Sequence, residues 1–408
     1  MSLQQMVEQI AVRLGRPVLV EDRKQWAVAY SPHNDAIDDV RRDSILRRHA
    51  GPEVAQWIRS LGVQNSREPI RTPMNHELHM LPRVCVPIWR SQWPLGYLWF
   101  IDESESMGSE EIHLASDLAN QLAEEWHSEK LRADQALARQ AFNVRELLLG
   151  GPEAVERSAV ELTDTGAFER DSAVTAFAVL PLLESPAVNA EELKDRIERT
   201  LRTAARNLGS GNALHHTRPD HGVLLYATYP SLGRTSNTQE VAKKLQAAGQ
   251  RWLTPLIGVS GVVVGVGGTH PSITQARDSY LDASMAARTS ATFDLDPIVH
   301  WRTLGAYRAL STMAAAGLKP SDVHTGIEKL ALEKDGGALL ETLECYLDVG
   351  GHAQAAATKL NLHRTSMYYR LERIQRLVSV DLQDGQQRLS LHLAAKLARV
   401  TGFDEENS

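Results

Sequence analysis

Cysteine is nearly absent. Cys85 and Cys345 are the two in 408 residues, too few and too far apart for a disulfide framework or a zinc module. Cys85 falls in a strand pattern and Cys345 in a helix pattern, so both are expected as buried thiols. Long apolar stretches are missing too: the longest, residues 257–266, falls well short of the ~18 residues a membrane span needs. The opening MSLQQMVEQI has no basic start followed by an apolar stretch. Together these absences lead to the expectation of a cytoplasmic protein with no membrane attachment. Catalytic signatures are equally scarce. His76 and His79 in MNHELHM do not form the His-Glu-x-x-His of a metalloprotease, and the glycines at 265–268 lack the Lys-Ser/Thr of a phosphate loop. No catalytic residue, metal ligand or cofactor is therefore expected.

What remains is an ordinary globular composition, 43% hydrophobic and 23% charged, long enough for two to four domains. The first part alternates short elements. A helix over 3–14 carries Met6, Ile10 and Leu14 at helical spacing. Strands at 17–21 and 26–30 flank a polar turn, helical patterns follow at 38–49 and 52–61, and a second hairpin pairs 83–89 with 95–101. A helix from 109 closes the unit. This order resembles a GAF or PAS-like α+β sensor domain over 1–125. Five of the eight tryptophans lie here, and Trp26, Trp89 and Trp99 are candidates to fill the core of a small domain or, alternatively, to line a small-molecule pocket.

Residues 110–149 form one helical pattern unbroken by proline or glycine, with Leu114, Leu118, Leu122, Trp126, Leu131, Ala138, Phe142 and Leu148 near heptad spacing. Such a helix is expected to connect two domains and to pair with its copy in a homodimer. Beyond Gly150-Gly151-Pro152, strands and helices follow in the order β-α-β-β-α-β, a ferredoxin-like pattern. With an extra helix and strand, the region 150–305 resembles the GGDEF-like domain of PucR/CdaR-type regulators. The resemblance is carried by Gly265, Gly267, Ser279, Tyr280, Ala283 and Ala287 in VGVGGTHPSITQARDSYLDASMAAR. It is a degenerate version: the first strand, AVTAFAVLP, has no acid, and Arg218-Pro219-Asp220-His221-Gly222 stands where a cyclase has Gly-Gly-Asp-Glu-Phe. One aspartate cannot hold the paired metals that phosphoryl transfer uses.

The C-terminal third is read as all-α. Helical segments at 306–337 lead through a flexible link at 334–337 into a module at 338–401. Here a helix stopped by Gly350-Gly351, an alanine-rich second helix, a tight turn at Asn361-Leu362 and a third helix from His363 follow one another. From 359 to 376 there are Lys359, Arg364, Arg370, Arg373 and Arg376 against one acid, Glu372, in a chain of net charge -7. A local positive excess in an acidic protein is what phosphate neutralisation requires. The run GHAQAAATKLNLHRTSMYYRLERI resembles the C-terminal helix-turn-helix of the PucR/CdaR-type transcription regulators, with Ala356, Leu360, His363, Arg364, Met367, Tyr369, Arg370, Leu371 and Ile374 in the family's places. It departs at Thr365 and Ser366, where Asn and Thr are usual.

The resemblance implies a regulator that binds double-stranded DNA and answers to a small-molecule effector. In a recognition helix the N-terminal residues sit deepest in the major groove. His363, Arg364, Thr365, Ser366, Tyr368 and Tyr369 are then the candidates for base edges and nearby phosphates, with Arg364 suited to guanine. Arg373 and Arg376 are candidates for phosphate. Arg370 could reach DNA or pair with a neighbouring helix. A closing helix at 388–401 would pack Leu389, Leu391, Leu393 and Leu397 on the module, and the acidic tail 402–408 is expected to be disordered.

Overall fold

A computed structural model describes residues 2–33, 37–168, 172–184, 188–208, 212–228 and 238–402. Tyr229, the expected end of a strand, and residues 403–408 of the acidic tail lie outside that set. The chain divides into compact units over 1–139 and 140–408.

In the first unit, α1 (Leu3–Leu14) is started by a capping box between Ser2 and Gln5 and stopped by Gly15 in the left-handed region. After it come β1 (Val18–Asp22), β2 (Ala27–Tyr30), α2 (Asp39–Arg47), α3 (Pro52–Ser60), β3 (Ile70–Thr72), β4 (Arg83–Arg90) and β5 (Trp93–Ile101). The five strands form one antiparallel sheet in the order β2-β1-β5-β4-β3. Because side chains alternate along each strand, the sheet has two cores. Val18, Val20, Val84, Val86, Leu98 and Phe100 pack under α1 and the start of α4 (Ser109–Leu149). Leu19, Cys85, Tyr97 and Trp99, in register across β1, β5 and β4, face α2 and α3. Burial pushes the Cys85 thiol well above its ordinary range, which suits a packing role.

Helix α4 is continuous over 41 residues. Its heptad positions do not all serve one purpose: Leu118 and Leu122 are core of the first unit, and Leu148 is core of the second. Leu131, Ala138 and Phe142 are exposed.

The second unit opens with α5 (Pro152–Asp164), which the strand-first reading of this region does not foresee. It continues with β6 (Ala173–Leu183), α6 (Ala190–Leu208), β7 (Ala213–Thr217), β8 (Gly222–Thr228), α7 (Thr238–Trp252), β9 (Val259–His270), α8 (Ala276–Phe293) and β10 (Ile298–His300). The sheet order is β10-β9-β6-β8-β7, the ferredoxin-like arrangement with β10 added in parallel at one edge. Val174, Ala176 and Ala178 pack under α5 and α8, while Phe177 and Val179 pack under α6 and α7. The glycines of the β9 run let α8 lie close. A Cβ on Gly265 would strike the Ala283 carbonyl, and one on Gly267 the Ser279 carbonyl.

Seven helices follow: α9 (Ala306–Ala315), α10 (Pro320–Val323), α11 (Gly326–Ala331), α12 (Gly336–Asp348), α13 (Ala353–Lys359), α14 (Arg364–Val378) and α15 (Gly385–Thr401). Ile327 and Leu330 of α11 share a core with α12 to α15, whereas Tyr307 of α9 packs beside Ala286 of α8 and Val299 of β10. The expected flexible link is short, since α12 already begins at Gly336. Leu391 and Leu397 are buried in α15, whereas Leu389 faces outward.

Candidate nucleic-acid interface

Three helices build the candidate site. Between α12 and α13 the chain reverses through Gly350 and Gly351, both at positive φ, where a side chain on Gly351 would also meet the Arg388 guanidinium. On α13, Ala356 and Ala357 are buried, and their small size lets α14 cross close to the backbone. The turn between them closes both ends of a Schellman motif. The Asn361 N–H donates to the Thr358 carbonyl (3.2 Å) and the Leu362 N–H to the Ala357 carbonyl (2.8 Å), with Asn361 at φ 53°. His363 then caps α14, its Nδ1 accepting from the Thr365 N–H at 3.3 Å.

The two faces of α14 differ sharply. Met367, Leu371, Ile374 and Val378 are buried against α11 to α13 and α15. His363, Arg364, Thr365, Ser366, Tyr368, Tyr369 and Arg376 are all exposed. The Arg364 guanidinium lies over the Tyr368 ring, 5.5 Å from its centroid, an arrangement that restrains a long side chain before any ligand arrives. Among the described residues neither Arg364 nor Arg376 forms an ion pair, so both cations are available to an external anion.

Arg370 and Arg373 behave differently. Arg370 donates to the Thr342 hydroxyl on α12 (2.9 Å), so the neighbouring-helix partner is an alcohol rather than an acid. Arg373 donates to Asp335 (2.6 Å) and to Glu333 (2.7 Å). The hydrogen bond from Arg373 holds the Asp335 carboxyl below its usual range. Both arginines are therefore engaged within the module, where they brace α14 against α12 and the link that precedes it. Sequence reasoning missed their partners, Thr342, Glu333 and Asp335. A second brace ties α15 down: Lys396 donates to Glu344 (2.6 Å) and Asp348 (2.8 Å), and Arg399 reaches Glu344 and stacks over Phe293 at the end of α8.

Elsewhere, the three tryptophans that are candidates for a pocket or a core have different surroundings. Trp99 is buried under α2. Trp26 is 50% exposed against His49, and Trp89 donates to the Ser66 carbonyl (3.0 Å) beneath Arg67. In the middle domain Asp220 is held from two sides, by His221 Nδ1 (2.8 Å) and Arg288 (2.6 Å), while His221 Nε2 contacts the Tyr280 hydroxyl at 3.0 Å. Desolvation opposes ionisation of Asp220, but His221 and Arg288 outweigh it and keep the carboxyl below its ordinary range. Among the described residues no three His, Cys, Asp or Glu side chains gather as a metal site. No helix among the described residues is long and apolar enough to cross a membrane.

Residues 339–397 match the model of the PucR C-terminal helix-turn-helix domain, and residues 168–289 match the GGDEF-like domain. The chain is similar to the DNA-binding transcriptional activator AdeR of Bacillus subtilis, 23% identical over 97% of this chain and 92% of that one. It is also similar to the proline-responsive transcriptional activator PutR of the same organism, 20% identical over 98% and 97%. Among solved structures, a regulator of polyketide synthase expression from Bifidobacterium adolescentis aligns with 64% of this chain and 98% of its own, at 16% identity and a TM-score of 0.30.

Proposed function

The chain is a DNA-binding transcriptional regulator of the PucR type, and from that premise we propose that it reads operator DNA as a cytoplasmic homodimer under the control of a small molecule. The observation that carries this reading is the asymmetry of α14. One face is sealed into a core, and the N-terminal half of the other presents His363, Arg364, Thr365, Ser366, Tyr368 and Tyr369 outward. Placed in a major groove, Arg364 would take the O6 and N7 acceptors of a guanine, and Arg376, more than three turns further along at its rim, would take a phosphate.

The test is a pair of substitutions in the full-length protein, measured by fluorescence anisotropy on its own promoter DNA and on scrambled DNA across a salt series. Arg364→Ala is expected to lower specific affinity by about tenfold to a hundredfold while leaving scrambled DNA almost unaffected. Arg376→Ala is expected to weaken both DNAs alike and to reduce the salt slope by about one. Equal loss from the two changes would remove the assigned roles.

Dimerisation is assigned to α4. Leu131, Ala138, Phe142 and Leu149 fall on a single stripe and are exposed, a pattern that self-pairing would cover. The GGDEF-like domain is assigned a structural rather than a catalytic role, because β6 offers no acid and Asp220 is already engaged by a histidine and an arginine. The first unit is assigned the sensing role, and regulation consists of biasing the spacing of two recognition helices against two half-sites.

A further inference from the structure

The sheet of the first unit buries charge where a small domain ordinarily buries hydrocarbon. On the face beneath α2, Glu21 comes from β1 and Arg83 from β4, and Arg41 descends from α2; all are sealed from solvent, at 3%, 4% and 0% exposure. Some of their capacity is used. Asp38 accepts from Arg83 Nη2 with both oxygens (2.7 and 2.8 Å), and Arg41 reaches His33 Nε2 and the Trp99 carbonyl, each at 3.0 Å.

The rest of that capacity is unused. Arg41 Nε, Arg83 Nε, Trp99 Nε1, Ser44 Oγ and both amide atoms of Gln25 are buried without a hydrogen-bond partner. Native interiors leave few such atoms, and these account for six of the seven found among the described residues, the other being Arg218 Nε. Four of the six are N–H donors. The ionic balance leans the same way: burial pushes the Glu21 carboxyl up to about 7 against the pull of Arg83, Arg41 and the Trp99 indole, whose N–H lies near Glu21 without completing a hydrogen bond to it. Burial, with Arg83 alongside, pulls Arg41 down to about 9. Two guanidinium groups thus share one full negative charge, on Asp38, and a second, on Glu21, that is only half present near neutrality, and the unused atoms are mostly donors. An acceptor-rich anion is what such a layer lacks.

We propose that the layer between α2 and the sheet binds the carboxylate of a small metabolite, whose oxygens take the Nε–H groups of Arg41 and Arg83 and the indole N–H of Trp99, with Gln25 and Ser44 reading the rest of the molecule. This rests on the reading of the first unit as the sensor. Glu21 sits where it would meet an amino group if the ligand is an amino acid, or donate from its protonated form if the ligand is a plain organic acid.

The experiment uses the full-length protein, thermal melting and calorimetry, and three probe sets: the proteinogenic L-amino acids, short straight-chain carboxylic acids, and the primary amides of both. At least one acid is expected to raise the melting temperature and its amide to fail. Arg41→Lys, which keeps the charge and loses the fork, is expected to weaken that binding by about tenfold or more. Should Arg41→Lys fold poorly, Trp99→Phe removes one donor from the same site and is expected to weaken binding without abolishing it. Preference for the amino acid over its des-amino counterpart, lost in Glu21→Gln, identifies the amino-acid class; indifference to the amino group identifies plain acids. The proposal is overturned if no acid binds, if amides bind equally well, or if binding survives both substitutions, in which case water alone serves these atoms. If an acid binds at Arg41 but leaves operator affinity unchanged, the site stands and the sensor reading falls. An acid that alters operator affinity equally in wild type and variants has the opposite meaning.

Discussion

Arg373 and Arg376 lie three residues apart on one helix and are identical in charge, yet Arg373 is ion-paired to Glu333 and Asp335 while Arg376 has no ion pair among the described residues. The periodicity of α14 separates its buried Met367, Leu371 and Ile374 from its exposed Arg364 and Tyr369. It cannot separate the two arginines, because the acids that hold Arg373 lie 38 and 40 residues earlier, beyond any local window. Glu21 poses the same difficulty in a strand. Its position in β1 reads as an ordinary end-of-strand acid, and burial beneath α2 is visible only in three dimensions. That burial has a pH signature, set by Arg83, Arg41, Trp99 and Asp22 around it and by Asp38, His33 and Cys85 nearby. The folded protein holds the proton on Glu21 up to about 7, whereas the unfolded chain releases it near 4.5. Its contribution to stability is therefore undiminished below 4.5 and falls as pH rises towards 7. Glu21→Gln is expected to melt like wild type at low pH and to gain up to about 3 kcal/mol above neutrality, checked by denaturant titration at acid and alkaline pH.

Among elements, those with strong local signals were legible in the sequence. Helix α1, both hairpins of the first sheet, the βαββαβ order of the middle domain and the three helices around Asn361 all follow from spacing and turn residues. Strand β3 was not, since three residues have no period and are held only by pairing with β4. Helix α5 carries its signal, with Pro152 at the first turn and Ser158, Ala159 and Leu162 buried on one face, and is overlooked only when the strand is sought first. The turn of the helix-turn-helix offers a direct test of local chemistry. With Asn361 at φ 53°, Asn361→Ala is expected to cost about 1 kcal/mol in thermal or chemical denaturation. Asn361→Gly is expected to be neutral or slightly stabilising, and to leave DNA affinity unchanged.

For the molecule as a whole, composition and the absence of apolar runs delimit the class, and the basic cluster in an acidic chain points to nucleic acid. How α4 divides its labour was not legible, because one heptad pattern covers positions that serve two cores and positions that serve neither. If the exposed stripe joins two copies, Phe142→Glu is expected to yield monomers at micromolar concentration in sedimentation velocity and to weaken operator binding far more than it lowers the melting temperature.

The C-terminal module keeps its floor in α15: Leu391, Ala394, Ala395 and Ala398 complete the core on which α14 rests. During synthesis, the basic helix emerges before the residues that support it. A chain halted after Val378 would lack the side chains that complete this core, so an ordered basic helix is expected only once α15 has been made.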